Sequence, residues 1–131
     1  MYWTRASAPA KAGRVFAAYV TVTIVTILAN GYATAADLTR ARFVLDTMAE
    51  VGVPRSWLPP LAVLKGAAAV GLVLGLLGVR PLGIAAAIGL VLFFTGALAT
   101  HVRSRVFHNI AIPATFFTLA AASAALALAT R

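Results

Sequence analysis

The sequence has no cysteine among its 131 residues, so disulfides, thiolate catalysis and cysteine-ligated metals are excluded. Acidic residues are also scarce: three Asp and Glu stand against eleven Lys and Arg, and charged residues make up 11% of the chain. By contrast, 62% of the residues are hydrophobic, and the mean hydropathy is +0.95. Soluble domains hold roughly 45–50% apolar and about 25% charged residues. The composition therefore predicts an integral membrane protein with one domain.

A formal net charge of +8 would suggest a nucleic-acid partner if the protein were soluble. Here the basic residues stand at the ends of apolar segments, which is the pattern that anchors membrane helices. No basic patch is interleaved with aromatic residues, so we expect membrane lipids as partners and no nucleic acid.

Four apolar runs are each long enough to cross the hydrocarbon core, which takes roughly 20 residues. We predict an all-α membrane protein, a four-transmembrane-helix bundle with an interfacial amphipathic helix between spans one and two. Residues 1–13 would form a basic tail in which Pro9 prevents a long regular helix, and residues 14–131 would form the membrane domain. The predicted spans cover approximately residues 15–36, 60–77, 81–100 and 106–130.

Short signals punctuate these runs. The first run also has the features of a signal peptide, with Ala33-Thr34-Ala35 as a cleavage pattern, but further spans follow, which favours a polytopic protein. Between spans two and three, Gly78 is expected to end one helix and Pro81 to open the next. Pro113 is expected to bend the fourth span.

The segment from Asp37 to Trp57 holds all three acids of the chain. Its apolar residues recur at helical spacing, which predicts an amphipathic helix lying at the membrane interface. Asp37 is the expected N-cap of this helix and Gly52 its expected stop. Trp57 suits an interfacial anchor.

Both histidines lie in a polar cluster between Thr100 and Asn109, which predicts a hairpin between spans three and four. We expect a turn near Arg103-Ser104, so that His101 caps the third span and His108 opens the fourth. Because four crossings leave both termini on one side of the membrane, this cluster and the Asp37–Trp57 segment must share the other side. A solvated hairpin and a working site at the membrane surface are both open interpretations.

The charges outside the spans do not decide the orientation, because Lys and Arg are tied between the two faces. The face that holds the termini carries no acid, whereas the other carries all three. Anionic lipids of the inner leaflet attract basic residues. We therefore expect a multi-pass protein of the inner (plasma) membrane with both termini in the cytoplasm.

The second span contains a strip of small residues, Ala67, Gly71 and Gly75, which allows close helix contact. Such faces serve either internal packing or association with another membrane protein or a second copy. Lys65 lies in the same span, where an ammonium group costs a few kcal/mol unless it is paired or reaches the interface. We expect Lys65 either to snorkel or to pair with Asp46 or Glu50.

The candidate site combines the charged segment with the histidine hairpin. Its predicted ligand-binding residues are Lys65, His101, Arg105, His108, Asp46 and Glu50. No metal site is predicted, because the sequence has no H-x-x-x-H or E-x-x-H pair and no third histidine. No catalytic residue is predicted either, since Ser56 and Ser104 lack acid–base partners at an informative spacing.

Three passages carry a family resemblance through their order and spacing. They are Arg42-x-x-Leu45-x-x-Met48-Ala49-x-x-Gly52-Val53-Pro54, the run from Leu64 to Leu76, and the run from Gly96 to Arg103. Together the chain from Tyr19 to Ala129 resembles the DoxX-like family of small four-span bacterial membrane proteins. The resemblance implies a four-helix membrane bundle. It also implies an accessory or scaffold subunit of a membrane redox or stress-related complex, since the family name derives from a subunit of a quinone-linked thiosulfate oxidoreductase.

Three functions follow as hypotheses. The leading one is the accessory subunit, which docks a partner and is not itself an enzyme. The alternative is a binding or transport protein for a lipid, quinone or small anion, with a polar pocket under the interfacial helix. The third is a quinone-linked oxidoreductase component in which a histidine relays protons. No cofactor is predicted, and a quinone or a lipid is the candidate ligand.

Overall fold

The computed structural model describes residues 7–130, and this part of the chain is helical with no strand. The helices are α1 (Ser7–Leu38), α2 (Arg42–Val51), a 3-10 turn (Arg55–Trp57), α3 (Leu58–Leu76), α4 (Arg80–Arg103) and α5 (Ala111–Ala129). Of these, α1, α3, α4 and α5 are long and apolar enough to cross a membrane, which confirms the four predicted spans.

The four spans form a closed ring in which α1 and α4 each pack against both α3 and α5. The apolar core lies where α3, α4 and α5 meet, with Leu72, Leu90 and Phe94 among its buried side chains. Around the ring, the spans are arranged in chain order, α1, α3, α4 and α5, so neighbouring spans run in opposite directions. The two ends of the bundle therefore hold different sets of loops.

Small residues bring α3 and α4 into close contact, as the strip in the second span predicted. A Cβ on Gly75 would lie 2.6 Å from the Cα of Gly83, and one on Gly71 would lie 2.8 Å from the Cβ of Ala86. Only glycine leaves room for backbones at this separation. Ala67, the third small residue of the predicted strip, is exposed and lies outside this contact. The strip thus packs the chain's own helices together.

The buried face of α1 is polar over most of its length. Its buried side chains are Tyr19, Thr23, Thr26, Asn30, Ala36 and Asp37. Thr23 Oγ1 lies 2.8 Å from Ser123 Oγ on α5, and Asn30 Nδ2 donates to the Thr26 carbonyl at 2.9 Å. Hydrocarbon offers no partners to polar groups, so these side chains turn inward and join α1 to the bundle.

At the end of the bundle near the termini, Arg80 joins three helices. Its Nη2 donates to the Thr130 carbonyl at 2.8 Å and lies 2.9 Å from Thr130 Oγ1, at the end of α5. The guanidinium carbon lies 4.8 Å from the ring centroid of Tyr19 on α1. A cation at a helix C-terminus and over an aromatic ring is favourable on both counts.

Two predicted helix boundaries were wrong, because in both cases the proline lies in the first turn of a helix, where we had not placed it. Residues 7–13 belong to α1 rather than to an irregular tail, since Pro9 lies in the first turn, where its missing N–H is not needed. Residues 1–6 of the predicted tail lie outside the described residues. Span four begins at Ala111 instead of residue 106, so Pro113 also falls in a first turn and causes no internal bend.

The connection between spans one and two also differs in detail from the prediction. Asp37 is not an N-cap, because α1 continues through it to Leu38 and α2 begins only at Arg42. Gly52 does end α2, with φ of 75°. Its N–H donates to the Ala49 carbonyl at 3.3 Å, and the N–H of Val53 donates to the Met48 carbonyl at 2.9 Å. The helix presents Met48 and Val51 to the protein interior and leaves Arg42, Asp46 and Glu50 exposed.

Candidate functional site: a cavity bounded by the second helix

A cavity of about 550 Å³ lies at the end of the bundle opposite the termini. We call it the α2 cavity, because Phe43, Val44, Thr47, Met48 and Val51 of α2 form one of its walls. The four spans, the turn before α3 and the connecting residues Val53 and Asn109 supply the rest. Its volume falls within the range of small-molecule sites, roughly 300–1,000 Å³.

A buried ion pair lies in the wall of the α2 cavity. Lys65 Nζ is 2.6 Å from Asp37 Oδ2, and the two side chains are 12% and 5% exposed. The contact is that of two charges rather than of a well-aligned hydrogen bond, since Asp37 Oδ2 has no hydrogen-bond partner among the described residues. We expected Lys65 either to snorkel to the interface or to pair with Asp46 or Glu50. Both alternatives were wrong, because the end of α1 lies beside α3 and brings Asp37 to Lys65, whereas α2 turns Asp46 and Glu50 outward.

Aromatic side chains form much of the remaining surface. Phe93 and Phe94 of α4 are in edge contact at 5.0 Å, and Phe94 lies 5.1 Å from Phe116 of α5. Lys65 Nζ is 5.6 Å from the centroid of Phe93, within the reach of a cation–π interaction. Tyr32 and Trp57 also line the cavity and are more than half exposed. The site is thus an aromatic chamber with one charged corner.

His101 lies in the last turn of α4 and is only 5% exposed. Its Nδ1 is 2.9 Å from the carbonyl oxygen of Ala97, one turn earlier. Because a carbonyl only accepts, Nδ1 carries the proton and donates. The other nitrogen, Nε2, is buried and has no partner among the described residues. His101, which lines the cavity, therefore has one ring nitrogen without a hydrogen-bond partner among the described residues.

Three polar contacts fasten α2 to the connection between α4 and α5. Ser104 Oγ donates to the Val51 carbonyl at 3.0 Å, and Asn109 Nδ2 donates to Thr47 Oγ1 at 3.2 Å. Glu50 carboxylate oxygens lie 3.0 and 3.1 Å from His108 Nε2. These contacts confirm that the acidic segment and the histidine cluster share one end of the bundle.

The six predicted site residues separate into two groups. Lys65 and His101 line the α2 cavity. The remaining four do not: Arg105, Asp46 and Glu50 are exposed, and His108 is exposed in the connection between α4 and α5 rather than at the start of a span. Arg105 lies two residues beyond the end of α4 in a left-handed conformation, with φ of 56°, in agreement with the turn expected near Arg103-Ser104.

Asp37 and Asn109 line the cavity but were not among the predicted site residues. The spacing of polar residues in span one holds a signal for Asp37. Thr23, Thr26, Asn30 and Asp37 recur at intervals of three, four and seven, which places them on one helix face. In a membrane helix such a face points into the protein. No group of three or more His, Asp or Glu side chains suited to a metal ion occurs within residues 7–130.

Together these features define the class of protein: a multi-pass helical membrane protein whose spans enclose an aromatic cavity with a buried ion pair. The chain belongs to the DoxX-like family, whose model matches residues 21–123. Neither a curated protein nor a solved structure matches the chain.

Proposed function

We propose that this DoxX-like protein binds a small, mostly apolar molecule with a polar end, of the lipid or quinone type, in the α2 cavity. The observation that carries the proposal is the inward position of Lys65 and Asp37 in a ligand-sized, aromatic chamber. Buried ion pairs contribute little to stability, so stability alone does not explain why this pair lies inside the bundle. A small anion suits the cavity less well, because the charge of Lys65 is already compensated by Asp37.

We place α2 at the membrane surface rather than across it. Ten residues span only about 15 Å as a helix, half of the roughly 30 Å hydrocarbon core. Its charged side chains Arg42, Asp46 and Glu50 are exposed, while its apolar side lines the cavity. Tyr32 and Trp57 are exposed and line the cavity. Aromatic side chains of this type are enriched at the membrane interface, where these two would contact an entering amphiphile.

The test is to fill the cavity and compare bound ligand. Gly96 lines the α2 cavity, whereas Gly89 on the same helix does not, and a Cβ at either position meets nothing within 4 Å. Gly96→Phe should therefore remove copurifying lipid or quinone detected by native mass spectrometry, while Gly89→Phe should leave it bound. Equal ligand content in both variants and the parent protein, or none in any of them, would contradict the proposal.

A second candidate is the accessory subunit of a membrane redox or stress-related complex. It is favoured by Ala85 and Gly89, which are exposed one turn apart on α4 and would allow another membrane helix to approach closely. Affinity purification in mild detergent should then recover a partner or a second copy, and Gly89→Phe should release it. A chain that stays monomeric and recovers nothing counts against this role. A chromophore in the absorption spectrum would point instead to an oxidoreductase component.

We further propose that the protein resides in the inner membrane with both termini in the cytoplasm. The absence of native cysteine makes this testable with single cysteines at two exposed loop positions, Val79 and Phe107. A membrane-impermeant maleimide added to intact spheroplasts should label Phe107→Cys and spare Val79→Cys. The reverse pattern would invert the orientation.

A further inference from the structure

We infer that the ligand of the α2 cavity carries a hydroxyl group, phenolic or alcoholic, that donates a hydrogen bond to Nε2 of His101. The inference rests on the proposed binding function and narrows it, because a lipid or quinone-type molecule offers either donors or acceptors at its polar end. The groups of the cavity that are left without partners decide between them.

His101 supplies an acceptor. Its Nδ1–H is committed to the Ala97 carbonyl at 2.9 Å, so the neutral ring has its lone pair on Nε2. That nitrogen is buried without a partner among the described residues, on a side chain that is 5% exposed. Buried polar atoms of side chains are nearly always partnered in native proteins. A donor from outside the chain would complete this one.

Asn109, which also lines the α2 cavity, supplies a second acceptor. Its amide nitrogen donates to Thr47 Oγ1 at 3.2 Å, which leaves Oδ1 buried and without a partner in the described part of the chain. Two residues that line the α2 cavity, one on α4 and one in the connection to α5, thus each have a buried acceptor without a partner among the described residues. A molecule with a hydroxyl group can donate to such an acceptor. An ether or an anion has only acceptor atoms, which cannot form a hydrogen bond with an acceptor of the protein.

The charged corner strengthens the selection for a neutral donor. An anion would need a free cation, but Lys65 is in contact with Asp37 at 2.6 Å. The walls favour a ring-bearing ligand, since Phe93, Phe94 and Phe116 all line the cavity and aromatic rings pack favourably against one another. A hydrophobic phenol combines the ring and the donor in one molecule.

The experiment compares para-hexylphenol with its methyl ether, which keeps the apolar body and removes the donor. Affinities for the full chain in detergent are measured by competition in native mass spectrometry. We expect the phenol to bind about ten-fold more tightly, since one hydrogen bond to a buried acceptor is worth roughly one decade in affinity.

Variants assign the difference to one atom. His101→Phe keeps a ring and removes the acceptor, so the preference for phenol should vanish while the ether binds as before. His101→Gln restores a carbonyl acceptor and should recover part of the preference. The matched control is His108→Phe, because this second histidine lies outside the cavity and is exposed; the full preference should persist.

The outcomes separate the inference from the function on which it rests. If phenol and ether bind the parent protein equally well, the hydroxyl inference is wrong and the binding function stands. If the preference survives His101→Phe in a folded, monodisperse protein, His101 is not the acceptor and the inference is overturned. If neither probe binds, both the inference and the proposed function are contradicted.

Discussion

Asp37, in the last turn of α1, and Lys65, in the second turn of α3, form an ion pair with 2.6 Å between Oδ2 and Nζ. The pair joins the two spans on either side of α2, so it fixes the distance that this short helix must bridge. It also holds both charges among apolar and aromatic residues. Neither residue is tolerable there alone, because a buried charge without its partner is strongly unfavourable.

We predict strong coupling between these two residues. Lys65→Met and Asp37→Asn should each lower the free energy of unfolding by about 3 kcal/mol, since each leaves a buried charge uncompensated. The double variant should be more stable than the sum of the two losses implies. Thermal or denaturant unfolding in detergent, followed by circular dichroism, measures the cycle. Simple additivity would show that the two charges act independently of each other.

A second prediction concerns the contact between α3 and α4. Gly75→Ala should lower the free energy of unfolding by about 1–3 kcal/mol, because its Cβ would lie 2.6 Å from the Cα of Gly83 and the backbones would have to separate. Gly89→Ala is the matched control, since a Cβ there meets nothing within 4 Å. It should be neutral or stabilising by up to about 1 kcal/mol, the helix-propensity difference. Unfolding in detergent again provides the measurement, and equal effects at both positions would contradict the close packing.

Much of this architecture is predictable from the sequence, because few backbone structures can cross a hydrocarbon layer. Four apolar runs of sufficient length give four spans, and four spans place the acidic segment and the histidine cluster at one end, where Glu50 does contact His108. The Gly71 and Gly75 pattern indicates close packing in the same direct way. These features depend on length and residue size, which a sequence displays openly.

The partner of Lys65 is different, because it depends on how far α1 continues and how it is rotated. An acid directly after an apolar run has the appearance of an N-cap, yet the helix runs on through Asp37 and turns it inward. The same limitation applies to span four. Val106 and Phe107 extend the apolar run in the sequence, but the left-handed backbone at Arg105 and the following turns delay α5 until Ala111.

A third prediction uses this left-handed residue. Arg105 has φ of 56° at the position where glycine is preferred, as Gly52 and Gly78 show at the ends of α2 and α3. A residue with a Cβ loses roughly 1–2 kcal/mol in this conformation. Arg105→Gly should therefore raise the unfolding free energy by about 0.5–1 kcal/mol.

The control for this substitution is Arg103→Gly, which removes the same side chain from the helical end of α4. Glycine at a helical position is unfavourable by up to about 1 kcal/mol, so this change should be neutral or destabilising. If both substitutions change stability in the same direction, charge at this end of the bundle, rather than backbone conformation, determines the effect.

The last prediction tests whether α2 controls access to the cavity. Asn109 Nδ2 and Thr47 Oγ1 are 3.2 Å apart, and the chain has no native cysteine, so the double variant Thr47→Cys and Asn109→Cys places a single pair of thiols on these two neighbouring segments. We expect oxidation to tie α2 to the connection before α5 and to slow the exchange of bound ligand. Reduction should restore exchange, and each single cysteine variant should respond to neither treatment.

The rate is followed by native mass spectrometry after addition of an isotope-labelled competitor. Because Asn109 also lines the cavity, the comparison is made between oxidised and reduced forms of the same variant. Equal exchange rates in the two forms would mean that ligand enters between the spans without movement of α2.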